Sequence, residues 1–262
     1  MPQFLPLTDP PDGDAPDGDC LVVAVHAGSN VLVVDDRHPG PAGVFLGTLD
    51  GRHCWAIDVA DESDVDTDLF KDLRAQWGGL DEVVWTLAGR AVQLVEWRRT
   101  HRFCGRCGTE TEPARGERAM RCPRCSLLAF PRLAPAVITL IHDGGDRVLL
   151  ANNKNFGIPM YSLLAGFVEP GETLEEAAYR ESLEEVGVHV RDLQYWGSQP
   201  WPFPHSLMLG FTAVADPDEP LALQASEIAD AKWFDLDDLP MIPPTMSIAG
   251  RIIEWWKASR AS

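Results

Sequence analysis

Two hydrophobic periods alternate along this chain. Apolar runs at residues 21–25, 31–34, 44–49 and 54–59 are separated by turns rich in Asp, Gly and Pro, which predicts a small antiparallel sheet. Residues 8–19 ahead of it are almost all Pro, Gly and Asp and read as a loop or disordered lead-in. A short helix is expected over 68–76. From 81 to 100 the period becomes 3.6, with Val83, Val84, Leu87, Ala88, Ala91, Leu94 and Val95 on one stripe of an amphipathic helix. Strand-like runs return near 130–141, 147–151, 161–165, 188–198, 206–215 and 231–235, with a turn at 143–146 and a polar loop at 152–157. Ile248, Ile252, Ile253 and Trp256 place a closing helix over 245–259. The pattern is α+β, with a small N-terminal sheet and a C-terminal mixed sheet flanked by helices.

The 262 residues suffice for one large domain or two modest ones. No apolar run is long enough to span a bilayer, and the N-terminus lacks the basic and apolar parts of a secretory signal. A cytoplasmic protein with no membrane partner is expected. The formal net charge of −18 argues against nonspecific binding to nucleic acid or anionic lipid. That charge is uneven: nine Arg against three Glu between Arg98 and Arg132 leave that segment at +6. It reads either as a landing patch for phosphates or as local compensation for a charged metal site.

Cys104, Cys107, Cys122 and Cys125 supply that site. Their C-x2-C-x14-C-x2-C spacing brings four thiolates around one structural Zn2+ per chain and leaves no open position for a catalytic water. Cys20 and Cys54 sit in apolar strands and read as buried free thiols. Nothing in residues 1–97 carries obvious chemistry, so a packing or dimerisation domain is expected there. The ribbon then occupies 98–131 and the rest, 132–262, forms the third domain.

The stretch 166–188 is organised differently. Thr173 is a good N-cap, Glu176 completes a capping box, and Gly187 falls where a helix C′ residue belongs. On the helix between them Glu181, Glu184 and Glu185 share one face. A bare E-x-x-E-E is often only a solvated acidic face. Here Arg180 neutralises part of the cluster, and hard divalent cations would neutralise the rest, since Mg2+ and Mn2+ prefer carboxylate oxygen. Further on, Gln199-Pro200-Trp201-Pro202-Phe203-Pro204-His205-Ser206 is a loop stiffened by three prolines that offers flat rings beside hydrogen-bonding groups.

These motifs carry a resemblance. Gly166, Glu172, Arg180, Glu181, Glu184, Glu185, Gly187 and Val188 match the Nudix box, G-x5-E-x7-R-E-U-x-E-E-x-G-U with U bulky and apolar. Ser182 departs from it at an aliphatic position. The 198–206 loop, the four-cysteine ribbon opening at Phe103-Cys104-Gly105 and the Phe130-Pro131-Arg132 stretch closing it resemble the NADH pyrophosphatase family of Nudix hydrolases. The resemblance runs from about Leu87 to the C-terminus and is weak before that.

The resemblance implies a Nudix α/β/α sandwich and metal-dependent hydrolysis of NAD(H) to nicotinamide mononucleotide and AMP. It extends to removal of NAD caps from RNA. Two to three Mg2+ or Mn2+ ions would be held by Glu181, Glu185, Glu227 and the Ala165 carbonyl, with Glu184 nearby. Glu184, Glu185 or Glu227 would act as base. Gly166, Glu172 and Arg180 would support the box. Phe130 and Phe167 would stack on the substrate base. Gln199 through Ser206, Met208 and Ala249 would line the nicotinamide-nucleotide pocket, with Glu117 and Arg74 touching substrate. The basic segment, Arg118, Arg121 and Arg124 in particular, could hold an RNA body. A homodimer is expected from the family. Two other readings stay open. One is a Nudix enzyme for ADP-ribose or a dinucleoside polyphosphate; the other is a zinc-ribbon nucleic-acid binder with an inactive Nudix domain. The sequence leaves open the order of preference among NADH, NAD and capped RNA.

Overall fold

A computed structural model describes residues 3–10, 20–36, 43–59 and 66–260. Of the lead-in expected over 8–19, residues 11–19 lie outside the described residues. The chain forms two compact units, Met1–Arg132 with Pro202–His205, and Leu133–Trp201 with Ser206–Ser262. No helix among the described residues is long and apolar enough to cross a membrane.

In the first unit β1 (Phe4–Leu5), β2 (Cys20–His26), β3 (Asn30–Asp36), β4 (Val44–Leu49), β5 (Arg52–Val59) and β6 (Lys71–Asp72) make one sheet ordered β1-β4-β5-β2-β3-β6. It is not the all-antiparallel sheet expected, because β2 and β5 run parallel. The helix expected over 68–76 does not form either. Two 3-10 turns, Thr67–Leu69 and Arg74–Gln76, flank β6 instead. Tertiary bonds outcompete the local helix here. Leu73 N–H donates to Ser29 O (3.0 Å), Ser29 Oγ donates to Asp72 (2.6 Å), and the Trp85 indole donates to Leu73 O (2.8 Å). Helix α1 (Glu82–Thr100) starts at Asp81, whose carboxylate accepts from Val83 N–H at 2.9 Å, and packs on β2, β4 and β5. Three two-residue strands, β7 (Glu112–Pro113), β8 (Met120–Arg121) and β9 (Leu128–Ala129), pair around the four cysteines.

The second unit holds β10 (Ala134–His142), β11 (Arg147–Asn153), β12 (Leu164–Phe167), α2 (Leu174–Val186), β13 (Arg191–Trp201), β14 (Ser206–Val214), β15 (Ile228–Asp235) and α3 (Ile248–Arg260). Its mixed sheet is ordered β13-β14-β10-β11-β15, with β12 antiparallel to β10 and β14 parallel to it. Strand alternation makes the sandwich. Val137 packs with Ala177 and Ala178 of α2, whereas Ile138 and Leu140 pack with Ile248, Ile252, Ile253 and Trp256 of α3. Strand β13 also runs further than expected, so that Gln199, Pro200 and Trp201 belong to a strand and only 202–205 form the turn. Pro200 is tolerated because β13 is an edge strand.

The two sheets share one plan. In the first unit a hairpin (β4, β5) pairs in parallel with β2, followed by antiparallel β3 and β6. In the second the same roles fall to β13, β14, β10, β11 and β15. Only residues 37–43 connect β3 to β4, whereas 154–190 connect β11 to β13 and carry β12 and α2. The first unit therefore repeats the sheet without the acidic helix, which accounts for the lack of chemistry in its sequence.

Candidate active site

Helix α2 is fixed at both ends by local bonds. Glu176 N–H donates to Thr173 Oγ1 (3.2 Å) while the Glu176 carboxylate accepts from Thr173 N–H (2.8 Å), a closed capping box. Gly187 is left-handed at φ 76°; its N–H donates to Leu183 O (2.9 Å) and that of Val188 to Ser182 O (3.3 Å). Ser182, the one departure from the aliphatic pattern, is buried. Its hydroxyl donates to Ala178 O at 2.8 Å, so this polar group in the core is satisfied within the helix itself.

Arg180 joins three carboxylates of the box into one network. Its guanidinium donates to both oxygens of Glu172 (2.7 and 2.9 Å), to Glu181 (2.7 Å), to Glu184 (3.0 Å) and to Phe167 O (2.9 Å). Beside it the Glu172 carboxyl is held down to about 2. Gly166 is required by a close approach. A Cβ there would lie 1.9 Å from the Glu181 carboxyl carbon. Gly166→Ala must therefore displace Glu181. Because the clash is with the end of a flexible side chain, the melting temperature should change little. Catalytic turnover should fall by at least ~10-fold, the scale of losing one support of a metal ligand. Unchanged turnover would show that Glu181 needs no such approach.

Glu185 is the most perturbed carboxylate. It is 3% exposed, and one of its oxygens, Oε2, has no hydrogen-bond partner. Burial first, then the charges of Glu181 and Glu227, push its carboxyl up to about 8. Burial likewise raises Glu181. Glu227, just before β15, accepts from Asn153 Nδ2 at 3.1 Å. A buried carboxylate with an orphaned oxygen, beside two further carboxylates, is what a hard divalent cation resolves, so the residues present fit Mg2+ or Mn2+.

Glu185 and Ala165 also line a cavity of ≈ 330 Å3 within the second unit. Gln199, Trp201, Met208 and Ala249 line it. Asn153, Phe156, Met160 and Ser247 line it as well. Phe156, Met160 and Ser247 were missed because they lie outside strands and α-helices, and Asn153 because β11 runs on into what reads as a polar loop. Gln199 has a second part beside lining the cavity. Its amide donates to Met246 O (2.8 Å) and accepts from Ile248 N–H (2.6 Å), which ties the start of α3 to β13.

The remaining expected pocket residues fall elsewhere. Pro200 is exposed on the opposite side of β13, and Ser206 is buried in β14. Pro202, Phe203, Pro204 and His205 group with the first unit, where the Arg74 guanidinium sits 3.6 Å from the centre of the Phe203 ring. Pro202 packs on α1 at Gly89, where a Cβ would come within 2.9 Å of it. Phe130 and Phe167 are both more than half exposed, and Glu117 is exposed in the ribbon. Arg118 is no surface cation. It donates to Phe45 O (2.8 Å) and to Leu7 O, and burial lowers it to about 10.

In the ribbon the sulfur atoms of Cys104 and Cys125 are 3.6 Å apart, those of Cys107 and Cys122 3.6 Å, and those of Cys107 and Cys125 3.7 Å. Four ligands at ~2.3 Å around a tetrahedral Zn2+ would be ~3.8 Å apart. All four sulfurs lie within 4.8 Å of one another, so they fit zinc.

Three family models match the chain in sequence order. They are the NADH pyrophosphatase-like rudimentary NUDIX domain over residues 7–97, the NADH pyrophosphatase zinc ribbon domain over 99–130 and the NUDIX domain over 132–256. The NAD-capped RNA hydrolase NudC of Deinococcus radiodurans is 45% identical over 218 residues, covering 82% of this chain and 77% of that protein. The protein of the same name from Pseudomonas syringae pv. syringae is 48% identical over 192 residues, covering 71% and 68%. A solved NUDIX hydrolase from Nitrosomonas europaea matches with a TM-score of 0.48 and 23% identity, over 61% of this chain and 92% of that one. With such identity sustained across most of both chains, and with all three domain models in register, this chain belongs to the NADH pyrophosphatase family of Nudix hydrolases.

Proposed function

We propose that the protein hydrolyses the pyrophosphate of NAD(H) to nicotinamide mononucleotide and AMP, and removes NAD caps from RNA to leave a 5′-monophosphate. One observation carries this reading: the buried Glu185, with its orphaned oxygen, forms part of the wall of the cavity lined by Gln199, Trp201 and Met208. A carboxylate cluster and a flat-walled pocket thus meet at one residue. The names of the relatives support the substrate class.

Glu181, Glu185, Glu227 and the Ala165 carbonyl would hold the catalytic Mg2+ or Mn2+. When bound, such ions reverse the sign of the carboxylate cluster toward pyrophosphate and lower the pKa of water. The chain's own groups do the rest. Arg180 and Gly166 hold Glu181 in place. Gln199 fixes the start of α3 and so the position of Ala249, whose small side chain leaves the pocket open. Trp201 gives an aromatic wall. The attacking water loses its proton to one of Glu184, Glu185 and Glu227, and a phosphate monoester leaves without need of a strong acid. The same reading includes a homodimer, supported by the exposed apolar side chains of Phe103, Leu128 and Phe130 on the ribbon, and a cytoplasmic location. It also divides the chain at 97 and 131.

The test is direct. Zinc-loaded protein incubated with NADH and Mg2+ or Mn2+ should release AMP, and absence of AMP would overturn the reading. For the RNA arm, Arg118 must be left intact because its guanidinium holds the fold. Arg121→Glu with Arg124→Glu should slow capped-RNA turnover while leaving NADH turnover unchanged.

A further inference from the structure

The turn that carries Glu227 is gripped by the strand end at the cavity wall. Asn153 closes β11 at a register shift between Asn152 and Asn153. Its side-chain Oδ1 accepts from Asn155 N–H at 2.9 Å, which fixes the orientation of the amide. Nδ2 is thereby turned outward and donates to Glu227 Oε1 at 3.1 Å. The backbone repeats the hold: Lys154 N–H donates to Glu227 O at 2.9 Å, and Lys154 Nζ donates to Ala225 O. Asn153 also lines the cavity, next to Phe156 and Met160 from the segment that follows.

We propose that Asn153 is the positioning residue for Glu227, and that through it the wall of the cavity sets the geometry of the catalytic metal site. The inference rests on the reading of Glu227 as a metal-binding carboxylate. A carboxylate has two oxygens. The Asn153 amide occupies Oε1 and stops rotation of the group, leaving Oε2 oriented for a cation. The backbone bonds of Glu227, from its N–H to Gln224 O (3.0 Å) and from Lys154 N–H to its carbonyl, fix its Cα but not the direction of its carboxylate. Without the amide, Glu227 keeps its backbone anchor while its carboxylate is free to turn away from the site. Partners of this kind typically change metal affinity about 10–100-fold when removed.

Asn153→Ser is the informative variant. A serine hydroxyl can still accept from Asn155 N–H and keep the turn, but it is too short to reach Glu227. Mn2+ binding to zinc-loaded protein, followed by calorimetry without substrate, should weaken by roughly 10-fold in Asn153→Ser. The metal-free melting temperature should stay at the wild-type value, and kcat for NADH should fall more than KM rises. Glu227→Gln serves as the reference and should weaken Mn2+ at least as much. Wild-type Mn2+ affinity in Asn153→Ser alongside weakened binding in Glu227→Gln would overturn the inference and leave the functional reading standing. Wild-type affinity in both would remove Glu227 from the metal site and the inference with it. Should Asn153→Ser lower the melting temperature and Mn2+ affinity together, Asn153→Ala decides. Weakened Mn2+ binding in Asn153→Ala keeps the inference, because it too lacks the amide; wild-type affinity in it overturns the inference.

Discussion

Glu185→Gln is expected to lower turnover of NADH by more than about 100-fold, because removing even an outer partner of a metal ligand costs 10–100-fold and this residue is proposed as the ligand itself. The same change should stabilise the protein when catalytic metal is absent. Folding raises the Glu185 carboxyl from 4.5 to about 8, so the folded state binds its proton more tightly than the unfolded state. The stability tied to that proton is fully present below about pH 4.5 and is lost as pH rises toward 8. For zinc-loaded protein dialysed free of Mg2+ and Mn2+, the melting temperature should therefore fall between these limits. On the alkaline side the loss is on the order of a few kcal/mol. Glu185→Gln, with no proton to lose, should flatten the decline, and Mg2+ should restore the wild type at pH 8. A pH-independent wild type would mean that Glu185 is not buried as a charge. Turnover retained by Glu185→Gln would sink the metal assignment.

Loss of zinc should have the second large effect, confined to one part of the chain. Among residues 103–131 the buried side chains are Cys104, Ala119, Met120 and Cys122. Three strands of two residues over so small a core cannot fold unaided. In small zinc modules the apparent binding free energy is about 10–16 kcal/mol, and it serves as the folding free energy. Cys107→Ser should therefore eject zinc. The amides of Cys104 and Cys122, now donating to Thr109 O (2.8 Å) and Leu127 O (2.9 Å), should then exchange at unfolded rates. Mn2+ binding at the glutamates should survive, since every member of that cluster belongs to the second unit. Protected amides in a zinc-free ribbon would contradict this account.

What could be read in the sequence was whatever rests on local rules. The caps of α2, the left-handed Gly187, the shared face of Glu181 and Glu185 and the cysteine spacing all depend on neighbours within a few residues, and each holds in the structure. The chemistry of Ser182 is equally local, yet spacing alone does not reveal a hydroxyl satisfied by the preceding turn. The failures are long-range. A parallel pairing of β2 with β5 leaves no trace in either strand, and the helix expected at 68–76 lost to bonds from Ser29 and Trp85. Gln199 was identified as important, but its use as a tether between β13 and α3 needs a partner 47 to 49 positions away. Asn153 had no signal at all, because its role exists only once β11 lies beside β15.

The sheet plan that occurs twice bears on how the enzyme could tolerate change. In one copy the strands equivalent to β11 and β13 are separated only by residues 37–43, too few for a helix such as α2, so this order of strands does not require that helix. In the other copy the added helix packs Ala177 and Ala178 against Val137 and puts Val186 into a second core cluster, and the same helix carries the carboxylates. Its sequence answers to charge as well as to cohesion, to the point of burying a carboxylate with one orphaned oxygen. Changes in this one helix therefore trade catalysis against sturdiness, as Glu185→Gln is expected to do.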